Sequence, residues 1–177
     1  GQHFLKSKKI SQLIVDAAKI TKNETVLEVG TGKGILTELL CSKAKSVISI
    51  EADKQIYTQM KSKMNDIENL EIIHGNGFKS KRKFDVFVSN LPYSESRNAL
   101  EWLAQTRFSR GIIMVQKEFA EKLVTSVLGE RKAITIIANH CFEIQKIINV
   151  GKNNFDPPPK VDSVVLDLTK KKTISSE

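Results

Sequence analysis

The sequence predicts an α/β fold: a mainly parallel sheet of seven strands, helices on both of its faces, and an antiparallel C-terminal hairpin at one edge. Three observations predict it. Five short, β-rich apolar runs alternate with segments of helical period, as right-handed crossovers in a parallel sheet require. Two further β-rich runs, "EIQKIINV" and "VDSVVLDL", are joined by "GKNNFDPPPK" with no helix between them, so they pair antiparallel. A glycine-rich turn directly follows the first strand of the series, at the end of the sheet where such folds take ligands.

The elements follow in order. From Ser7, the apolar positions Ile10, Leu13, Ile14, Ala17 and Ala18 keep helical spacing. "TVLEV" (25–29) is a strand, "GTGKG" a turn, and "ILTELLCSK" a helix. "SVISI" (46–50) is a second strand ending at Glu51, followed by a polar helix over 54–64. "LEIIH" (70–74) is a third strand, stopped by "GNG". "FDVFV" (84–88) is a fourth, "SRNALEWLA" a helix and "GIIMVQ" (111–116) a fifth strand. Helices are predicted over 117–128 and over "AITIIANHC", ahead of the hairpin.

At 177 residues the chain is one domain, large enough to build a core without disulfides or metals. Hydrophobic residues make up 40% with no long apolar run, which excludes a helical membrane span. The opening "GQHFLKSKKISQ" lacks the apolar core and cleavage site of a secretory signal. Cys41 and Cys141 lie in apolar segments and read as reduced packing residues of a cytoplasmic protein. Three scattered histidines supply no metal site. Lys and Arg exceed Asp and Glu by 28 to 20, a net +8. Together with "KSKK" (6–9), "KSKRK" (79–83) and "KKK" (170–172), this favours a polyanionic partner such as RNA or DNA.

The residues that end strands carry the chemistry. "EVGTGKG" places Gly30, Gly32 and Gly34 where backbone must approach a ligand closely. Its spacing, G-x-G-x-G, disfavours a nicotinamide dinucleotide, and the lack of a Lys-Ser pair disfavours ATP hydrolysis. Glu51 ends the second strand, where a carboxylate can accept both hydroxyls of a ribose. Asn76 and Phe78, after the third, are candidates for an adenine edge and face, or else an ordinary turn residue and a core aromatic. The fourth strand opens onto "SNLPYSE". Pro92 cannot join a ladder and biases Leu91 away from helix, leaving the Asn90 amide and the Tyr93 ring at a strand end. These positions describe a pocket for an adenosine-containing cofactor.

On "GQHFL", "LEVGTGKGILT", "SIEAD", "SNLPY", "VQKEFAEKL" and "FDPPPKVDSVV", the chain resembles the S-adenosylmethionine-dependent rRNA adenine N6-dimethyltransferase family almost end to end. The resemblance implies a Rossmann-like class I methyltransferase domain over 1–169, with a disordered basic tail over 170–177. The family's C-terminal helical domain has no counterpart in these residues. It implies S-adenosyl-L-methionine as cofactor, with contacts at Gln2, His3, Leu5, Gly30, Gly32, Glu51, Asn76 and Asn90. His3 stands where the family usually has Asn, and Asn76 where it has Asp. Catalysis falls on Asn90, Leu91, Pro92 and Tyr93. The Asn90 side-chain oxygen and the Leu91 carbonyl accept the two N6–H bonds, and Tyr93 stacks on an extruded base. Phe155 is either the other wall of the base slot or edge-strand packing. No metal is called for. The implied partner is ribosomal RNA or a small ribosomal subunit precursor, met by a monomer. Competing expectations are a large-subunit enzyme of the macrolide-resistance type and a non-catalytic RNA-binding assembly factor.

Overall fold

The computed structural model describes residues 2–124 and 133–171. A two-residue strand, β1 (Phe4–Leu5), precedes helix α1 (Lys8–Ala17), whose N-cap Ser7 accepts the Ile10 N–H at 3.3 Å. Strand β2 (Thr25–Val29) leads through the glycine turn into α2 (Ile35–Lys43), then β3 (Ser46–Glu51) and α3 (Lys54–Lys63), which Asp53 caps through the Gln55 and Ile56 N–H groups. There follow β4 (Leu70–His74), β5 (Val86–Asn90), α4 (Ser96–Gln105), β6 (Arg110–Gln116) and α5 (Lys117–Val124). Helix α6 (Ala133–Cys141), β7 (Phe142–Val150), β8 (Phe155–Asp156) and β9 (Ser163–Lys170) complete the order.

The main sheet runs β4-β3-β2-β5-β6-β9-β7. The first five are parallel; β9 is antiparallel to both β6 and β7, which makes β7 the edge of the expected hairpin. Strand alternation divides the core into two layers. Val26, Val47, Val86, Val88 and Ile112 face α1 and α2, meeting Ile14, Val15, Leu36 and Leu40. Leu27, Val29, Ile48, Ile50 and Phe87 face the other way, meeting Ala99, Leu100 and Leu103 of α4, Leu123 of α5 and Ile134 of α6. Residues between paired strands are buried on both sides, which is why these strands read as unbroken apolar runs.

Two boundaries differ from expectation, and a third falls outside the described residues. The fourth strand, predicted over 84–88, pairs over Val86–Asn90 instead. Phe84 turns into an aromatic cluster with Phe87, Trp102 and Phe108, and the Asp85 carboxylate accepts the Thr25 N–H at 2.8 Å. The helix predicted over 117–128 is described only to Val124; its remainder lies outside the described residues. Lys170, assigned from sequence to a disordered tail, is the last residue of β9, while 172–177 lie outside the described residues. Strands β1 and β8 were not expected, because two residues carry no detectable repeat. They pair antiparallel in a separate small sheet.

Lys170 has a structural task. Its ammonium donates to the carbonyls of Leu103, Ala104 and Thr106 at 2.7–2.9 Å, capping the C-terminal end of α4, and lies over the rings of Phe108 and Phe142. A cation there complements the helix dipole and satisfies end carbonyls that lack a helical partner. Desolvation lowers its pKa. Lys170→Met leaves these carbonyls without their donor, and the expected loss is about 1–3 kcal/mol, read as a lower urea midpoint at unchanged slope.

Candidate active site

The chain builds β2, β3 and β4 in one direction and then β5 and β6 in the other, so β2 and β5 flank the point where strand order reverses. Clefts open beyond the carboxyl ends of strands at such a point. The tops of these strands are held together: Ser89 Oγ donates to the Val29 carbonyl, and the Gly30 N–H to that of Ile50. Gly30, Gly32 and Gly34 all have positive φ, at 88°, 54° and 81°. At Gly32 a side chain would be strained, and a Cβ would come within 3.3 Å of the Phe4 ring.

A cleft opens there. From the sequence-predicted set it brings together Gln2, His3, Gly30, Gly32, Glu51, Asn90, Leu91, Pro92 and Tyr93. A smaller recess behind the glycine turn shares Phe4, Gly30, Gly32 and Asn90 with the cleft and is also lined by Leu5. Asn90 thus stands where the two meet. Among the described residues, neither its carboxamide nor the Leu91 carbonyl has a hydrogen-bond partner. Leu91, 2% exposed as a whole residue, is anchored in the core, and its N–H donates to the Met114 carbonyl at 3.3 Å. The peptide oxygen is therefore held by a fixed backbone.

Three candidate residues line neither the cleft nor the recess. Asn76 lines neither recess: its carboxamide oxygen accepts the Phe78 N–H at 2.9 Å, capping the turn over Gly77–Lys79. Phe78 packs edge-on against Trp102, its core alternative. The base-wall reading of Phe155 is corrected. The ring is 1% exposed, sealed in the α1/α2 layer, because β8 pairs with β1 opposite Leu5 and turns Phe155 inward.

Glu51 is buried, and its carboxylate accepts the N–H groups of Gly32 at 3.1 Å and Asp53 at 3.0 Å, tying the glycine turn to the end of β3. Glu28 lies deeper. Its Oε2 accepts from Thr37 at 2.7 Å and Ser49 at 2.6 Å; with the Ser49 hydrogen so used, the Thr31 hydroxyl donates to Ser49 at 2.6 Å. Burial pushes the Glu28 carboxyl up to about 7, the two hydroxyl bonds opposing and the Glu51 charge adding to the rise. The unfolded chain therefore releases this proton first, so stability declines as pH rises from about 4.5 to about 7 and levels off above. Glu28→Gln removes that dependence. Its stability relative to the parent should match near pH 4.5 and exceed it at pH 8 by on the order of 2–3 kcal/mol, by urea unfolding at both pH values.

Sequence reasoning missed two supports. The Tyr93 hydroxyl meets Ser163 Oγ at 2.8 Å, and Ser163 is fully buried at the head of β9. The motif "KVDS" contained this serine, but nothing local pairs it with Tyr93. The amino-terminal strap is the second. Besides the β1–β8 pairing, the Lys6 N–H donates to the Asn154 carbonyl, and Lys33 Nζ lies 3.0 Å from the Asp156 carboxylate.

A protein-family model for ribosomal RNA adenine dimethylase matches residues 1–177. The chain belongs to the ribosomal RNA adenine dimethylase family. It is 35% identical over 175 residues to the "Probable ribosomal RNA small subunit methyltransferase A" of Pyrococcus abyssi, a match covering 97% of this chain and 64% of that protein. Its fold superposes on a dimethyladenosine transferase from Plasmodium falciparum with a TM-score of 0.88 at 37% identity, covering 96% of this chain and 64% of that one. The 23S rRNA methyltransferase ErmE superposes at 0.87 with 26% identity, covering 98% of this chain and 72% of that one. This dimethylase-family chain spans less than two thirds of the length of the Pyrococcus protein. Among the described residues no helix is long and apolar enough to cross a membrane.

Proposed function

We propose that the chain transfers methyl groups from S-adenosylmethionine to the N6 amine of adenines in small-subunit ribosomal RNA, up to two per adenine, as a monomer acting in the cytoplasm on maturing subunits. One observation carries this reading: a carboxamide and a peptide carbonyl, both without a hydrogen-bond partner among the described residues, sit side by side at Asn90–Leu91, beside a glycine turn and at the sheet's reversal point.

The residues fit the cofactor. Gly30 and Gly32 present bare backbone to the cleft, and Glu51 lines it with carboxylate lone pairs beyond the two already in use. Bound there, the cofactor supplies a methyl group on a positively charged sulfur. The chain's own work is on the acceptor. An adenine amine is a poor nucleophile, since its lone pair is spread into the ring. Asn90 Oδ1 and the Leu91 carbonyl accept its two N–H bonds, favouring a tetrahedral nitrogen whose lone pair points along the transfer axis. Both acceptors act most strongly as positive charge grows on that nitrogen. Pro92 holds the chain extended, with φ at −53°, and Tyr93 stacks on the extruded base. The product proton passes to solvent.

The small-subunit assignment is supported by the "FDPPPKVDS" segment and by the small-subunit name of the Pyrococcus relative. Because the 23S enzyme shares the fold, large-subunit RNA is the second reading. Unmodified small subunits, their naked RNA and large-subunit RNA should each be offered with labelled S-adenosylmethionine, and N6-methylated adenines mapped. Label confined to large-subunit RNA would replace the first reading with the second. No transfer to any RNA would leave a non-catalytic binding protein.

A further inference from the structure

We infer that the chain has a second contact surface for RNA at the end of the sheet opposite the cleft. It is a basic rim where Lys81 and Lys83 of the β4–β5 connection and Arg107 of the α4–β6 turn hold backbone phosphates; this rests on RNA being the substrate, as proposed above. The run "KSKRK" (79–83) has no part in the cleft. It leads from the carboxyl end of β4 to the start of β5, so its last cations come to the end where the strands begin. Ser80, Lys81 and Lys83 line a groove there with Arg107 and Ser109, and Lys83 borders a second groove beside Glu68 and Glu71.

Lys81, Lys83 and Arg107 are exposed, and among the described residues none of their side chains makes a hydrogen bond or an ion pair. Two of the acids lining these grooves are already engaged. Arg82 grips both oxygens of Glu71, and the Asp85 carboxylate accepts the Thr25 N–H. That leaves Glu68, among the described residues, to face three lone cations. Like charges gathered in this way repel one another, and a polyanion relieves the repulsion. Ser80 Oγ accepts the Arg82 N–H at 3.2 Å and keeps its own hydrogen to donate. The rings beneath the groove, Phe84 and Phe108, are only 6% and 8% exposed, so neither offers a face to a base. Cations and hydroxyls without a stacking ring suit the RNA backbone, whatever its sequence.

Distance sets what the rim does. From Lys83 the chain runs through β5 to Asn90, and an extended segment of that length spans roughly 20 Å. Exposed charges are screened within about 8 Å at physiological salt, so the rim does not act on the reacting nitrogen through its field. It acts by holding a substrate long enough to reach both ends of the sheet. Its contribution therefore falls on RNA affinity and not on the chemical step.

The test combines Lys81→Gln, Lys83→Gln and Arg107→Gln, beside a control carrying Lys54→Gln, Lys61→Gln and Lys63→Gln on α3. Binding to naked small-subunit RNA is measured against salt. The rim variant should bind roughly a hundredfold more weakly at 0.1 M salt, its slope of log K on log salt shallower by about 2–3. Each single substitution should take about 0.7–0.9 from that slope, and the control should keep the parent slope. KM for RNA should rise in step, with kcat and the calorimetric Kd for S-adenosylmethionine unchanged. A parent-like slope in the rim variant, an equal loss in the control, or a fall in kcat overturns the proposal. So does a loss seen with assembled subunits but not with naked RNA, which would assign the rim to an acidic protein. A parent that binds RNA without transferring methyl groups sinks the proposed function alone, and the salt slopes still decide the rim.

Discussion

Asn90→Ala is expected to reduce methyl transfer by about a hundred- to a thousandfold while S-adenosylmethionine still binds within a few-fold of the parent affinity. The magnitude is that of removing one preorganised polar group from a site of developing charge. The split follows from position. Asn90 borders both the cleft and the recess behind the glycine turn, but the turn itself is held by Glu51 and by the Gly30–Ile50 backbone bond, neither of which involves the Asn90 side chain. Its carboxamide makes no hydrogen bond within the described fold, so truncation leaves no buried group unsatisfied and should not unfold the chain. The measurement is single-turnover transfer beside calorimetric cofactor binding. A variant that transfers methyl groups at the parent rate would remove Asn90 from the chemistry. One that loses rate and cofactor affinity equally would make it a binding residue alone.

Tyr93→Ala should cost roughly ten- to hundredfold in kcat/KM, the worth of an aromatic stack on a base. Tyr93→Phe keeps the ring and should retain most activity. The hydroxyl has a separate task. Its bond to buried Ser163 ties the ring to the head of β9, so Tyr93→Phe and Ser163→Ala should each lower activity only a few-fold. In combination they should cost no more than either alone, since each removes the same contact. Full additivity would mean that the two residues act independently and that the hydrogen bond does not orient the ring. A Tyr93→Phe variant as impaired as Tyr93→Ala would show that the hydroxyl matters more than the stack.

Much of the site was readable in advance because its parts are local. Glycine spacing after a strand, an acid at the next strand end and an amide stopped by Pro92 each depend on neighbours in sequence, and parallel-sheet topology brings such ends to one rim. Gly30, Glu51 and Asn90 come together for that reason. The residues whose place the sequence left open share the opposite property. Phe155 was given two readings because a lone aromatic before a proline run has no period; its pairing with Leu5 selects the buried one. Asn76 looked free for a ligand, yet the short turn after it needed a cap.

Local hydrophobic period and turn chemistry were enough to specify seven strands, the helices over them, the hairpin and the end of the sheet where the cleft opens. Packing between distant segments decided the rest: that Tyr93 leans on a serine 70 positions later, and that His3 is held by a carbonyl 154 positions away. Such contacts leave no trace in any short window of residues, because the folded backbone, and not the spacing along the chain, brings the partners within a hydrogen bond of each other.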